Sequence, residues 1–377
     1  MTQVTITAAT AVTPLGDTPE STWQGLLAGR SAIAPVSRFD CSRYHAGIAA
    51  VIPDLAAAQG TSLCTPLLER LLDGFPAVPS DARLLLASTK GPIDLLERSQ
   101  RAGALPGREV LAEALLDALR QRFELTAKGI NINAACASST IALARAGALI
   151  ASGRAECVLV VCLDLVSEFV LAGFSALKGL SPTPSRPFDR ERDGLSLGEG
   201  AAALLLMSQE RAQHEGRPML GRLLGWGVAN DANHITAPAR DGSGLIAAVE
   251  QALQTAQLEH DAVAAISAHG TGTVYNDAME LTAFASLFGA RPLPLNSIKG
   301  AIGHTLGAAG GIEAALALTA LREQLLAPTV GLGQAEEGTP QQVSSIAQSF
   351  FGDVLLSTNS GFGGINAALL LAAGEDA

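Results

Sequence analysis

Cysteine is scarce and scattered in this chain: Cys41, Cys64, Cys136, Cys157 and Cys162 are odd in number, and no two form a C-x-x-C pair. That pattern excludes a disulfide framework or a zinc ribbon as the basis of the fold, and a reducing cytoplasm fits it best. Positive charge is also in short supply. A formal net charge of −11 argues against nonspecific nucleic-acid binding, which needs a basic face to release counterions from phosphate. An acidic protein partner would need a local basic patch. Arg98, Arg101, Arg108, Arg120, Arg122 and Lys128 are grouped so as to supply either such a patch or a solvated helix face. Long unbroken apolar runs are missing too. The segment "CVLVVCLDLVSEFVLAGF" is interrupted by Asp164 and Glu168, and no opening stretch pairs a basic leader with an apolar run. Neither a membrane span nor a signal peptide is expected.

What is present is apolar and rhythmic. Of 377 residues, 48% are hydrophobic, enough to bury a sizeable core in two domains or one duplicated one and to exclude disorder. "VTITAATAVTPLG" predicts a strand and a turn, and "PESTWQGLLAGRS" a helix with Gly29 near its end. "RLLLAST" reads as a buried strand, "EVLAEALLDALRQRFEL" as an amphipathic helix and "GININAA" as a strand. "SSTIALARAGALIASG" then reads as a helix closed by Gly153, and "CVLVVCLD" as another strand. The stretch "SPTPSRPFDRERDGLSLGEGAAALLLM" reads as a polar loop, after which strands and helices alternate a second time from "GRLLGWGVAN" to "DVLLSTNSGFGGINAALLLAA". The repeated element order implies an α/β fold with parallel buried strands, duplicated as residues 1–215 and 216–377, with a site between the halves. "GAAGGIEAALALTAL" is small and apolar all round, as a helix buried between sheets must be.

The segment "NAACASST" places Cys136 at the amino end of a predicted helix, where open backbone amides and the helix dipole favour a thiolate and make the sulfur a nucleophile without a strong base. Ala134, Ala135 and Ala137 keep the approach open, and Ser138 or Ser139 is placed to cap the helix. Taken alone, the segment is read more simply as a buried inert cysteine. His269 in "SAHGTGT" and His304 in "NSIKGAIGHTLGAAGG" change the balance, because both follow strands in Gly-rich loops, where α/β folds gather ligands. The competing reading is a Cys-His-His zinc site with water as fourth ligand. Against it stand the lack of any short-range ligand pair and the cation of Lys299 beside His304.

The ordered set "NAACASST", "AHGTGTVYNDAME", "SIKGAIGHTLGAAGGIE" and "NSGFGGINAAL" resembles the elongating β-ketoacyl-acyl carrier protein synthases of the thiolase superfamily. The likeness extends to "VTPLG", "LLAGRSAI", "RPFDRERDGLSLGEGAA" and "DANHITAPARDGSG", nearly the whole chain. It implies a five-layered αβαβα fold with two central mixed sheets and a ping-pong condensation in which Cys136 accepts an acyl group as a thioester. His269 and His304 would donate hydrogen bonds to the malonyl thioester as enolate charge builds, and Lys299 would support them. The amides of Cys136 and Phe362 would form the oxyanion hole, with Gly361 and Gly363 letting the backbone approach sulfur and Phe362 gating the acyl pocket. The resemblance further assigns Thr271 and Thr273 to the pantetheine arm and Lys178 to docking of acyl carrier protein. Asp277, Glu280 and Glu313 are read as anchors of loops and helices. No organic cofactor or metal is implied, and a homodimer or a heterodimer with a similar chain is expected.

Two departures stand out. Ser360 occupies the place before "GFGG" where the family usually has Phe, and the stretch 46–131 is shorter than usual. "LLLASTKGPIDLLE" is similar to ketoacyl synthases of aryl-polyene and other type II polyketide clusters. Three rivals are weighed against this reading. A thiolase needs a second cysteine near its C-terminus, but the last one here is Cys162. A chain-initiating synthase would carry asparagine in place of His304. A catalytically silent chain-length partner would lack Cys136.

Overall fold

The computed structural model describes residues 2–336 and 342–374, so the last three positions of the second half lie outside the described residues. The first half contributes β1 (Val4–Val12), β2 (Arg83–Ala87), β3 (Ile130–Asn131), β4 (Cys157–Asp164) and β5 (Gly200–Ser208). The second contributes β6 (Gly221–Asn230), β7 (Val263–Ser267), β8 (Pro294–Asn296), β9 (Val354–Gly361) and β10 (Ile365–Ala373). Across the sheet the order is β3-β2-β4-β5-β1, then β8-β7-β9-β10-β6 when the second half is read from its far edge. Both halves therefore run third-second-fourth-fifth-first. Pairing type repeats as well: the first three strands of each list are parallel, and the last two are antiparallel to their neighbours. The duplication expected from element order is thus a duplication of topology.

The two mixed sheets meet edge to edge, because β1 pairs with β6 at Thr5↔Arg222 and Ile6↔Gly221. With a short strand, Gln342–Val343, on the outer edge, the two sheets are joined through that short pairing into eleven hydrogen-bonded strands. β5 corrects the sequence reading, which left it in a loop. Its run of alanines and leucines lacks an alternating polar face because it is buried on both sides, as a central strand is.

Seven helices matter for the site. They are α1 (Cys64–Leu71), α2 (Ala112–Arg122), α3 (Ser138–Ala151), α4 (Glu168–Ala176), α5 (Ser243–Ala256), α6 (Val274–Phe288) and α7 (Ala309–Glu323). α3 and α7 pack on each other and on strands of both halves, forming the middle layer. Residues Ala309 to Leu321 of α7 are all buried, as the small all-round surface predicts. α1 and α2 cover the outer face of the first half, α5 and α6 that of the second, giving five layers. No described helix is long and apolar enough to cross a membrane.

Candidate active site

Cys136 sits in the turn from β3 into α3, one residue ahead of the cap Ala137, and Ala135 before it is held at φ +49°. A left-handed non-glycine residue costs free energy and marks a turn that its surroundings enforce. The two serines do not cap the helix. Ser138 Oγ donates to the Ala135 carbonyl at 2.6 Å and accepts from the Ala134 amide at 2.9 Å, while Ser139 Oγ accepts from the Gly311 amide at 2.9 Å. They tie the turn and the neighbouring central helix. The amino end of α3 is left without a side-chain cap.

His269 lies two residues beyond β7 and His304 just beyond the short helix Lys299–Ile302. Both are buried, and with Cys136 they line one pocket of about 330 Å³. The cysteine sulfur and one nitrogen of each ring lie within 4.8 Å of one another, and the ring centroids are 5.1 Å apart at 82°. His269 Nδ1 accepts from Asn359 Nδ2 at 3.2 Å, and His304 Nδ1 accepts from the Leu306 amide at 3.3 Å. The Asn359 orientation is fixed on its other sides: Nδ2 also donates to Glu313 Oε2 at 2.8 Å, and Oδ1 accepts from Thr140. With Nδ1 of each ring accepting, the ring proton resides on Nε2. Burial, reinforced by the charge of Lys299, pushes both imidazoles well below their ordinary pKa. The pocket therefore holds two neutral N–H donors.

That tautomer suits hydrogen-bond donation better than ligation of a zinc ion by the same three residues. A metal at Nε2 would force each proton onto Nδ1, where it would face the Asn359 and Leu306 N–H groups, and the nearby Lys299 cation would repel the ion.

The sulfur itself corrects the sequence expectation. Burial pushes the Cys136 thiol up to about 12, opposed by Lys299, the Phe362 amide and Lys90, while the Asp164 charge adds to the rise. The resting group is a thiol, because burial of the sulfur outweighs the helix end. Its proton must leave during acyl transfer.

Lys299 is buried and donates to the His269 carbonyl at 2.6 Å and to Glu313 Oε1 at 2.5 Å. Glu313 in turn holds Asn359, so one chain of contacts runs from lysine to the His269 ring. We expect Lys299→Met to destabilise the protein by about 3–5 kcal/mol in denaturant unfolding, because it strands a buried carboxylate. Lys299→Met combined with Glu313→Leu recovers part of that loss. Asp277 and Glu280 act as the anchors expected of them. Glu280 accepts the His269 and Gly270 amides at 2.8 and 2.7 Å; Asp277 accepts those of Phe188, Thr271 and Gly272. Thr271 and Thr273 line the pocket and share a 2.9 Å hydroxyl contact.

The β9–β10 turn closes the pocket from the other side. A Cβ on Gly361 would stand 3.2 Å from the Cys136 nitrogen and 2.8 Å from Ile365 Cγ2, and Gly363 holds φ +89°. Phe362 is 37% exposed, and its ring rests on Phe174 of α4 with centroids 5.6 Å apart. Ser360 has a clear local role: its hydroxyl donates to Asn366 Oδ1 at 2.7 Å across the hairpin. Lys178 is exposed on the pocket rim, where Arg240 also stacks on Tyr275 at 5.5 Å. Three of the six grouped cations are engaged within the molecule: Arg98 pairs with Asp94, Arg101 with Glu97 and Glu168, and Arg122 donates to the Leu72 carbonyl. Asn359 stands in the "NSGFGG" stretch, where spacing assigns it no role, because its partners lie 46, 90 and 219 residues away.

The chain matches the "Beta-ketoacyl synthase, N-terminal domain" over residues 1–65 and 111–212 and the "Beta-ketoacyl synthase, C-terminal domain" over residues 220–333. It is 33% identical to the 3-oxoacyl-[acyl-carrier-protein] synthase 2 of Rhizobium meliloti, covering 98% of this chain and 99% of that one. A solved β-ketoacyl synthase from Burkholderia phymatum superposes with a TM-score of 0.88 at 29% identity, over 99% of this chain and all of that one. The ishigamide ketosynthase/chain length factor superposes with a TM-score of 0.89 at 27% identity, over 99% of both chains.

Proposed function

The chain belongs to the β-ketoacyl synthase family, and from that premise we propose that Cys136, His269 and His304 carry out its decarboxylative condensation. It is an acyltransferase of the 3-oxoacyl-[acyl-carrier-protein] synthase type. The observation that carries the residue assignment is the convergence of one sulfur and two Nε2–H imidazoles, from loops of both halves, in a single pocket.

In the first half-reaction the Cys136 sulfur attacks the thioester carbon of an acyl group brought on the phosphopantetheine arm. The old carbon–sulfur bond breaks, and the proton from Cys136 ends on the departing pantetheine sulfur. The Phe362 amide lies against the sulfur and the Cys136 amide beside Gly361, so the pair is placed to hold the oxyanion. In the second half-reaction malonyl-carrier protein binds and its carboxylate–methylene bond breaks, releasing carbon dioxide. The electron pair passes to an enolate, whose oxygen the two Nε2–H groups receive. The enolate carbon then attacks the Cys136 thioester, the carbon–sulfur bond to Cys136 breaks, the 3-ketoacyl chain leaves on the carrier, and the departing thiolate takes one proton from solvent to regenerate the thiol. Nothing in this sequence calls for an organic cofactor or a metal.

Thr271 and Thr273 are assigned to the pantetheine arm, and Lys178, with Arg240 on the same rim, to the acidic carrier protein. A second chain of the same fold is the expected subunit partner. β3 is the edge strand of its half and exposes Ile130 to 50%, and one of the similar solved structures is the ishigamide ketosynthase/chain length factor. Cys136 makes this chain the catalytic member of any such pair.

The test is reconstitution with acyl-carrier and malonyl-carrier protein. A 3-ketoacyl product two carbons longer, with one carbon dioxide released per turnover, supports the reading. Carbon dioxide release without chain extension contradicts it.

A further inference from the structure

Asp164 ends β4 and is 1% exposed, and the mechanism above does not use it. Every contact it makes is with a donor. Oδ1 accepts from Ser88 Oγ at 3.0 Å, the Thr89 amide at 3.0 Å and the Lys90 amide at 3.4 Å. Oδ2 accepts from Thr89 Oγ1 at 2.8 Å, the Thr89 amide at 3.1 Å and the Gly307 amide at 2.7 Å. Three backbone amides and two hydroxyls suit an acceptor-only carboxylate, and they oppose the burial that raises the Asp164 pKa.

The Gly307 contact is the one that reaches the site. Leu306, between His304 and Gly307, is held at φ +53°, a strained conformation for a leucine, and in that conformation its amide donates to His304 Nδ1. The next amide along the chain is the one Asp164 grips. A Cβ on Gly307 would stand 2.8 Å from Asp164 Oδ2, so the carboxylate and the backbone are in close contact. On the functional reading above, the N–H that Leu306 presents is what keeps the His304 proton on Nε2.

We propose that Asp164 is a positioning residue: by holding the Gly307 amide it fixes the strained Leu306 peptide, and thereby sets the tautomer in which His304 donates to the enolate. Asp164 also stands close enough to Cys136 for its charge to oppose ionisation of the thiol, against the pull of Lys299 and Lys90. Removing the charge therefore lowers decarboxylation and raises thiol reactivity, and persistence of Cys136 acylation separates this from general loosening of the fold, which would expose the thiol as well.

The experiment uses full-length Asp164→Asn in three assays. Malonyl-carrier decarboxylation is expected to fall about 10-fold or more, since one of the two enolate donors is lost from register. Alkylation of Cys136 by iodoacetamide is expected to become faster at neutral pH, its pH profile moving to lower pH. Acylation of Cys136 by acyl-carrier protein is expected to persist. Should the variant fail to fold, nitrogen-15 NMR of histidine-labelled wild-type enzyme and of Thr89→Val decides. Wild-type His304 is expected to show a pyridine-type Nδ1 and a pyrrole-type Nε2, with the Nδ1–H form gaining population in Thr89→Val. Unchanged decarboxylation in a folded Asp164→Asn, or a protonated Nδ1 in wild-type His304, overturns the proposal. A wild-type enzyme that never acylates Cys136 overturns the functional reading instead.

Discussion

Cys136→Ala is expected to lower condensation by about 10³-fold or more while the protein stays folded. The chemistry has no other nucleophile to fall back on. Among the other cysteines, Cys64, Cys157 and Cys162 are buried away from the pocket, and Cys41 is half-buried elsewhere; none lines the cavity with the histidines. The structural cost is small because the neighbours are alanines and the residue lost is one sulfur atom, so unfolding free energy should fall by about 1 kcal/mol. Cys136→Ser keeps the shape, but its hydroxyl holds the proton far more tightly than the thiol, and its loss of turnover should be of the same order. Both variants retain His269 and His304 in their tautomers, so malonyl-carrier protein should still lose carbon dioxide. Turnover close to wild type in either variant would remove Cys136 from the mechanism.

His269→Ala and His304→Ala are expected to cut decarboxylation by about 10²–10³-fold each, the usual cost of removing one donor from developing oxyanion charge. Acyl transfer to Cys136 should suffer much less, because its oxyanion is held by backbone amides that neither substitution touches. The asymmetry follows from the tautomers. Each ring gives its proton-bearing edge to the pocket and spends Nδ1 on a fixed partner, Asn359 for His269 and the Leu306 amide for His304. It also follows from burial, which keeps both rings neutral and so removes histidine ionisation as a source of pH dependence near neutrality. Equal and small losses in both half-reactions would make the histidines structural.

The sequence was informative wherever a local rule applied. Cys136, His269 and His304 stand out because small, Gly-rich loops follow buried strands, and the end of a parallel strand is where side chains from distant segments meet. The burial of α7 could be read from its composition for a similar reason. Other features needed three dimensions. β5 carries no alternating pattern because it is buried on both faces, so a polar segment before it drew it into a loop. The state of the Cys136 thiol depends on desolvation by the whole pocket, which a helix-end argument omits. Asn359 and Asp164 act across separations of 90 and 143 residues, and neither belongs to a residue type that spacing alone marks as functional. The arginines between Arg98 and Arg122 resemble a docking patch in one dimension, yet several turn to carboxylates and carbonyls of their own chain. Ser360 departs from the family pattern and is explained by its bond to Asn366, a partner visible only once the hairpin register is known.

Everything in the mechanism passes through one covalent intermediate, and it can be weighed directly. Incubated with an acyl-carrier protein and digested, the enzyme should yield the peptide containing Cys136 heavier by the mass of the acyl group. The added mass should disappear when malonyl-carrier protein is supplied. An unmodified Cys136 peptide under conditions that support chain extension, or an acyl group carried on any other residue, would contradict the account.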